Sequence, residues 1–332
     1  MILVLGHNGV KVVVSGNLTN SSALLALFAI PSQASWSYGV GGVVFAIGLV
    51  SIFLRGDWQK AQGFDKLILL GPIFYAAPLA AFGTEHFTLT QAIAPLVPAW
   101  IPLHLFWVYF VGICFIAAPL SLVTKIHTRL AASLLALTFF LFVMLMDAPA
   151  WAHQPGNRIS LTLALRELSF SGGALALAAS FTERGRRRDT QATIARYFIA
   201  IPVLFYSCEQ FLHGDHVPGV PLERLTPAYV LGHALWGYLA AVVYAVTGVL
   251  LFVGRKTRTA ATWLGLTVLF LVFAVYLPMA VVERAGLEGL NFLGDTLMYC
   301  GAVLLLAGAM PREAQPREVA DGSRQLPQPN QP

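Results

Sequence analysis

One pattern recurs in this chain at a fixed distance. Pro98-Ala99-Trp100 is followed by His104, Trp107 and Tyr109, and 129 residues later Pro227-Ala228-Tyr229 is followed by His233, Trp236 and Tyr238. In both copies the proline is read as opening an apolar helix. A repeat of this size constrains the fold before any single residue does, because the unit that one copy builds the other must be able to build too. The match continues outside the motif. Pro72, Glu85 and His86 pair with Pro202, Asp215 and His216 at an offset of 130, Arg129 and Pro149 with Arg258 and Pro278 at 129, and Glu167 and Gly173 with Asp295 and Gly301 at 128. Small loop insertions account for the drift.

The repeat is embedded in apolar sequence. Residues are 57% hydrophobic and 11% charged, against about 25% charged in soluble domains, so the chain cannot cover a water-facing surface. A stretch of about 20 apolar residues crosses a bilayer. The first such stretch is Trp36 to Leu54, and eight more follow in two sets of four: 67–83, 99–123, 130–149 and 160–181, then 196–212, 228–253, 260–282 and 290–309. The expected fold class is therefore an all-α polytopic membrane protein of about nine transmembrane helices. Four is even, so the two four-helix units lie parallel, related by a pseudo-twofold along the membrane normal, with one leading helix beside them.

The corresponding division is a lead over 1–35, a leading helix and cytoplasmic loop over 36–66, and the first unit over 67–181. A basic linker over 182–195, the second unit over 196–310 and a polar, disordered tail over 311–332 complete it. In the lead, the run Ala23 to Ile30 is too short to span; a signal peptide, a mis-set start and a loosely ordered segment all stay open.

Charge sets the orientation. Of the 21 Lys and Arg residues, sixteen fall in one set of loops, and Lys11, Arg158, Arg166, Arg224 and Arg284 fall in the other. Positive loops stay inside, which places the N-terminus outside and the C-terminus in the cytoplasm of a bacterial inner membrane. The net charge of +5 is thus a lipid-facing anchor rather than a nucleic-acid footprint, with Arg186-Arg187-Arg188 beside anionic lipid. Cys114, Cys208 and Cys300 sit apart in apolar stretches and read as buried free thiols.

The topology gathers His86, His104, Asp147 and Glu167 in the outer half of the first unit. Glu167 lies fourteen residues before Phe181, about 21 Å along a helix, and therefore inside the membrane; Asp295 has the matching depth. Intramembrane carboxylates are costly and mark functional sites by default. Stapling of helices is the equal alternative, with Arg166 snorkelling outward to pair locally. His104 and Trp107 share one helix face, as do His233 and Trp236, although aromatic residues at helix ends also form ordinary interfacial belts. Candidate ligand-binding residues are His86, His104, Trp107 and Glu167, repeated as His216, His233, Trp236 and Asp295. Two His and a carboxylate could hold a metal, and paired membrane histidines could hold haem, but no local ligand spacing supports either. Gly172-Gly173 reads as close helix packing.

Gly83-Thr84-Glu85-His86-Phe87, Val97-Pro98-Ala99-Trp100-Ile101-Pro102 and the stretch Arg166-Glu167-Leu168 to Gly172-Gly173-Ala174-Leu175 resemble the DoxX-like family of four-helix bacterial membrane proteins. The resemblance covers 67–181 in full, with 196–310 as a divergent copy. It implies a redox-associated membrane component, an accessory subunit of a membrane oxidoreductase or a partner of a redox protein. Such a component would hold a quinone or similar amphipathic ligand near the outer leaflet, where His and a desolvated carboxylate give and take protons. A secondary transporter and a non-catalytic scaffold or assembly factor are the competing expectations.

Overall fold

The computed structural model describes residues 32–220, 224–230, 232–283 and 287–312, with the side chains of Ser32, Gln33 and His233 left out. The expectations for the lead before Ser32 and for the tail after Arg312 lie outside these residues. Among the described residues the regular structure is helical, apart from one isolated antiparallel bridge between His216 and Leu225.

The long helices are α1 (Ser32–Leu54), α2 (Asp65–Thr88), α3 (His104–Thr124), α4 (Thr128–His153), α5 (Arg158–Ser180), α6 (Arg186–Leu212), α7 (His233–Val253), α8 (Thr257–Val282) and α9 (Glu288–Ala309). Eight of them are long and apolar enough to cross a membrane; α6 is the more polar one, opening on Arg186-Arg187-Arg188-Asp189. The chain is a multi-pass integral membrane protein, and its outer surface contacts lipid.

Each helix from α2 onward packs on the next in order, and α9 returns to α2, closing a circuit. Across its middle α5 touches α9, while α1 lies outside on α2 and α3. Burial follows this plan. The apolar windows of α2, α5 and α9 are 72–78% buried, whereas those of α1, α3, α4, α7 and α8 are 28–44% buried. The latter group turns side chains such as Phe106, Leu134, Leu235 and Phe273 outward. In lipid, helices are held by close packing rather than by expulsion of water, so small residues belong at the crossings. A Cβ on Gly173 of α5 would stand 2.5 Å from Ala302 Cα, and one on Gly301 of α9 would stand 2.4 Å from Tyr75 N. The Gly172-Gly173 reading holds.

Three boundaries differ from expectation, each for a local reason. Neither motif proline opens its helix: α3 starts at His104 and α7 at His233. Pro102 disfavours helical geometry at Ile101, and the entry residues Leu103 (φ 60°) and Gly232 (φ 73°) are left-handed. The second change is that α2 runs on to Thr88, so Glu85 and His86 lie within its last turns. The third is that the basic linker is largely helical, because α6 begins at Arg186.

Both α4 and α8 contain a π-helical turn, Val143–Asp147 and Val272–Tyr276. Each precedes a proline, Pro149 or Pro278, whose ring would clash with the carbonyl four residues back and cannot donate to it. Widening the turn to i→i+5 absorbs that conflict. These turns stand 129 residues apart, as do Leu103 and Gly232, Lys125 and Gly254, and His127 and Lys256, all with positive φ. At the end of the bundle opposite Glu85, ion pairs join loops to helices: Lys125 Nζ to Asp57 at 2.6 Å, and Arg258 and Arg312 to Asp65 at 2.6 and 2.5 Å.

Candidate functional site

Inside the bundle, five helices and one short turn enclose a cavity of about 30 Å³. Phe82, Glu85 and His86 come from α2, Phe115 from α3, Phe139 and Phe142 from α4, Glu167 and Phe170 from α5, and Met298 from α9; Ile93 closes it. Ile93 belongs to the helical turn Thr90–Ile93, which folds back over the end of α2 and is tied there by Thr90 Oγ1 donating to His86 O at 2.8 Å. The wall is aromatic: His86 meets Phe115 edge-on at 5.5 Å, Phe115 stacks on Phe139 at 5.4 Å, and Phe139 meets Phe170 at 5.5 Å.

The polar groups are fixed by the helices that carry them. His86 can approach α3 closely only because position 112 is glycine; a Cβ there would stand 2.8 Å from His86 Cβ. His86 Nδ1 donates to Phe82 O at 2.8 Å. A carbonyl only accepts, so the proton is on Nδ1 and Nε2 of the neutral ring is an acceptor. Glu85 and Glu167 are 5% and 6% exposed, and Glu85 Oε1 and Glu167 Oε2 have no hydrogen-bond partner. Asn291 of α9 faces Glu85, and Asp147, last residue of the α4 π-turn, faces Glu167.

One of the two sequence alternatives has Arg166 snorkelling outward. It is instead fully buried, with Nη1 donating to Asp295 Oδ2 at 2.7 Å across the α5–α9 contact and Nη2 standing 4.0 Å from Glu167 Oε1. It therefore does not belong to the loop charge of either side. Among the described residues it is the one fully buried basic side chain. Its neighbourhood holds Glu85, Asp147, Glu167 and Asp295, so carboxyl groups outnumber the local cation. In such a setting a carboxyl group is neutralised by a proton or a partner. This arrangement can hold and exchange protons around a chamber with room for about one or two water molecules.

The structure thus brings together two of the eight candidates, His86 and Glu167, at the cavity. Asp295 joins them indirectly through Arg166. His104 opens α3 and lines a shallow, open depression between Ala99 and Phe106 instead. Trp107 stands beside it, 40% exposed, its Nε1 donating to Pro102 O at 3.1 Å. His216 lies in the loop after α6, its Nδ1 donating to Asp215 Oδ1 at 2.9 Å. Trp236 packs against Phe270 at 5.3 Å on the α7–α8 side. The His233 side chain lies outside the described atoms. Of the three free cysteines, Cys300 is buried and Cys114 partly so, while Cys208 is exposed on α6, contrary to the sequence reading. Among the described residues no three His, Cys, Asp or Glu side chains are grouped to hold a metal ion.

Glu85 and Arg166 were missed as site residues, as was the pairing of Arg166 with the candidate Asp295. The signal for Arg166 was present: a basic residue in mid-span has no water to reach and must meet an acid at its own depth, which Asp295 supplies. Comparison of the chain with models of known families, with curated proteins and with solved structures gives no match.

Proposed function

We propose that this membrane protein is a redox-associated component whose buried Glu85–His86–Glu167 centre exchanges protons with a quinone-type amphipathic ligand at the outer side of a bacterial inner membrane. The observation that carries the reading is the cavity: two carboxyl groups with oxygens lacking partners, and an imidazole with an acceptor nitrogen, meet in a chamber of phenylalanines. Quinol oxidation releases protons from an apolar ring, and it needs acceptors of this kind at an apolar pocket. The resemblance to the DoxX-like family points the same way.

Size decides how much of a ligand this conformation admits. Pockets for whole small molecules run to about 300–1,000 Å³, so about 30 Å³ takes a water or the oxygen end of a ligand. The ring would lie against the Ile93–Phe142 side and displace those side chains on entry.

Polarity is also one-sided. Below Glu167, α5 buries Phe170, Gly172, Gly173, Ala174, Ala176 and Leu177. Above it are Asp147, Asn291 and, one turn earlier on α9, the exposed Glu288. Protons released to one face fit this layout better than a substrate path through the membrane. A tandem duplication of a four-helix unit, with α6 as the ninth span, accounts for the shared left-handed residues and π-turns. The positive loops then put the C-terminus in the cytoplasm.

The test is an absorption spectrum and solvent-extract mass spectrometry of the protein purified in mild detergent, for the wild type and Glu167→Gln. A quinone present in the wild type and lost in the variant supports the assignment. Bulk phospholipid alone in both, with substrate-dependent uptake into proteoliposomes, would move a transporter ahead; neither signal would leave a scaffold.

A further inference from the structure

We propose that Asp147 and Glu167 form a proton-sharing carboxyl pair that serves as the port between the cavity and the bundle surface. Glu167 is the inner member, 6% exposed, and lines the cavity. Asp147 is the outer member: the residue is only partly buried, and its Oδ2 is buried without a hydrogen-bond partner, as is Glu167 Oε2. The two side chains interact directly across the α4–α5 contact.

The π-turn is what puts Asp147 there. An extra residue in the turn rotates everything after it relative to a regular α-helix, and such bulges are frequent at functional sites. The sister turn in α8 ends on Tyr276, a phenol whose hydroxyl donates to Pro218 O; Asp295, the counterpart of Glu167, lies near it but is engaged by Arg166. The same backbone device thus delivers a carboxyl in one half and a fixed hydroxyl in the other.

The charges facing the pair are Arg166 from α5, Glu85 and His86 from α2, and Asp295 from α9. Arg166 is already engaged by Asp295 at 2.7 Å. Two carboxylates in contact away from water cannot both stay ionised, so the pair retains a proton and titrates as a unit. Transfer is a relay: a proton arriving from the cavity on Glu167 passes to the facing Asp147 oxygen, and Asp147 releases one to water at the surface. No bond other than O–H changes.

This rests on the proton-exchanging reading of the cavity, but its test uses ligand-free protein, so failure to find a quinone would not touch it. Infrared spectra of the full chain in lipid nanodiscs are recorded against pH, with carboxyl-labelled aspartate separating Asp from Glu. The expected wild-type result is a protonated-carboxyl band near neutral pH that shifts with the aspartate label and is lost in Glu167→Gln. In Asp147→Asn the Glu167 band should move in frequency, titrate in one step rather than two, and exchange its proton for deuterium at least tenfold more slowly. Asp147→Glu should restore fast exchange. A wild-type band indifferent to the aspartate label overturns the proposal whatever the variants do. Wild-type exchange rates in Asp147→Asn overturn the port.

Discussion

The first half of the molecule keeps its acids around a cavity, and the second half, with matching π-turns and left-handed residues, does not. At the offset that relates the two π-turns, Asp147 corresponds to Tyr276 and Phe115 to Tyr244. Tyr244 and Tyr276 are both buried, and Tyr206 and Tyr299 pack beside them with ring centroids 6.0 Å apart. Glu85 and His86 sit in the last turns of α2. Their counterparts Asp215 and His216 fall beyond the end of α6 at Leu212, in a loop. Asp295, the counterpart of Glu167, is turned to Arg166 of the other half. Matching turns at matching positions therefore do not imply a matching site. The second half contributes the counter-ion that lets the first half carry a buried arginine, and fills its own interior with phenols.

That division of labour breaks most readily at Arg166. Removing one partner of a buried ion pair leaves an uncompensated charge and costs about 3–5 kcal/mol, while replacing both partners by apolar residues of similar size is often neutral. Asp295→Ala should therefore lower the unfolding midpoint in detergent steeply, whereas Arg166→Met with Asp295→Leu should recover most of the loss. If the single and double variants are equally unstable, Asp295 acts through packing rather than as the counter-ion.

A second, smaller effect tests whether the halves share their crossing. Gly173 and Gly301 are counterparts, yet Gly173 meets Ala302 of the opposite half and Gly301 meets the backbone at Tyr75. Overpacking costs about 1–3 kcal/mol. Gly173→Ala and Gly301→Ala should each destabilise by that order, while Gly42→Ala, with nothing within 4 Å of its Cβ, should be silent. Equal effects at all three positions would mean that the central crossing is not what holds the halves together.

The helices and the membrane class were legible in the sequence because apolar length and helical rise are local properties. Glycine pairs at crossings were legible for the same reason. The cavity was only half legible. His86 and Glu167 could be paired through topology, but His104 and Trp107 were grouped with them on the strength of spacing. A helix face fixed by spacing says nothing of which way that face looks until neighbours are known, and α3 turns this part outward. The alternative of a local Arg166 pair arose because an Arg–Glu dipeptide suggests one. Residues one apart on a helix do not face each other, and the stronger partner was 129 positions away. The end of α6 before Asp215 was not legible either. Gly214 breaks the run there: a Cβ on it would press on the Tyr238 ring at 2.6 Å, so that segment crosses α7 where its counterpart Thr84 simply continues α2.

The smallest expected effect lies in that loop, and it sharpens the comparison of the two acid–histidine pairs. Asp215 is exposed, and the hydrogen bond from His216 holds its carboxyl below the ordinary carboxylate value. A carboxyl whose folded value is depressed adds stability above its unfolded value and loses it as pH falls through the folded one. His216→Ala should therefore raise the Asp215 midpoint toward the unfolded value in carbon-detected NMR titrations. It should weaken the protein slightly in the range above the unfolded carboxylate value, and less as the pH drops below the depressed one. The exposure of Asp215 keeps the consequence small, since water and salt screen the pair. His86→Ala in the first half should behave differently, because its ring is a wall of the cavity and its loss removes packing against Phe115 as well as an acceptor. A His216→Ala effect as large as that of His86→Ala would mean that the loop pair is also part of a working centre, and that the two halves are more alike in function than in structure.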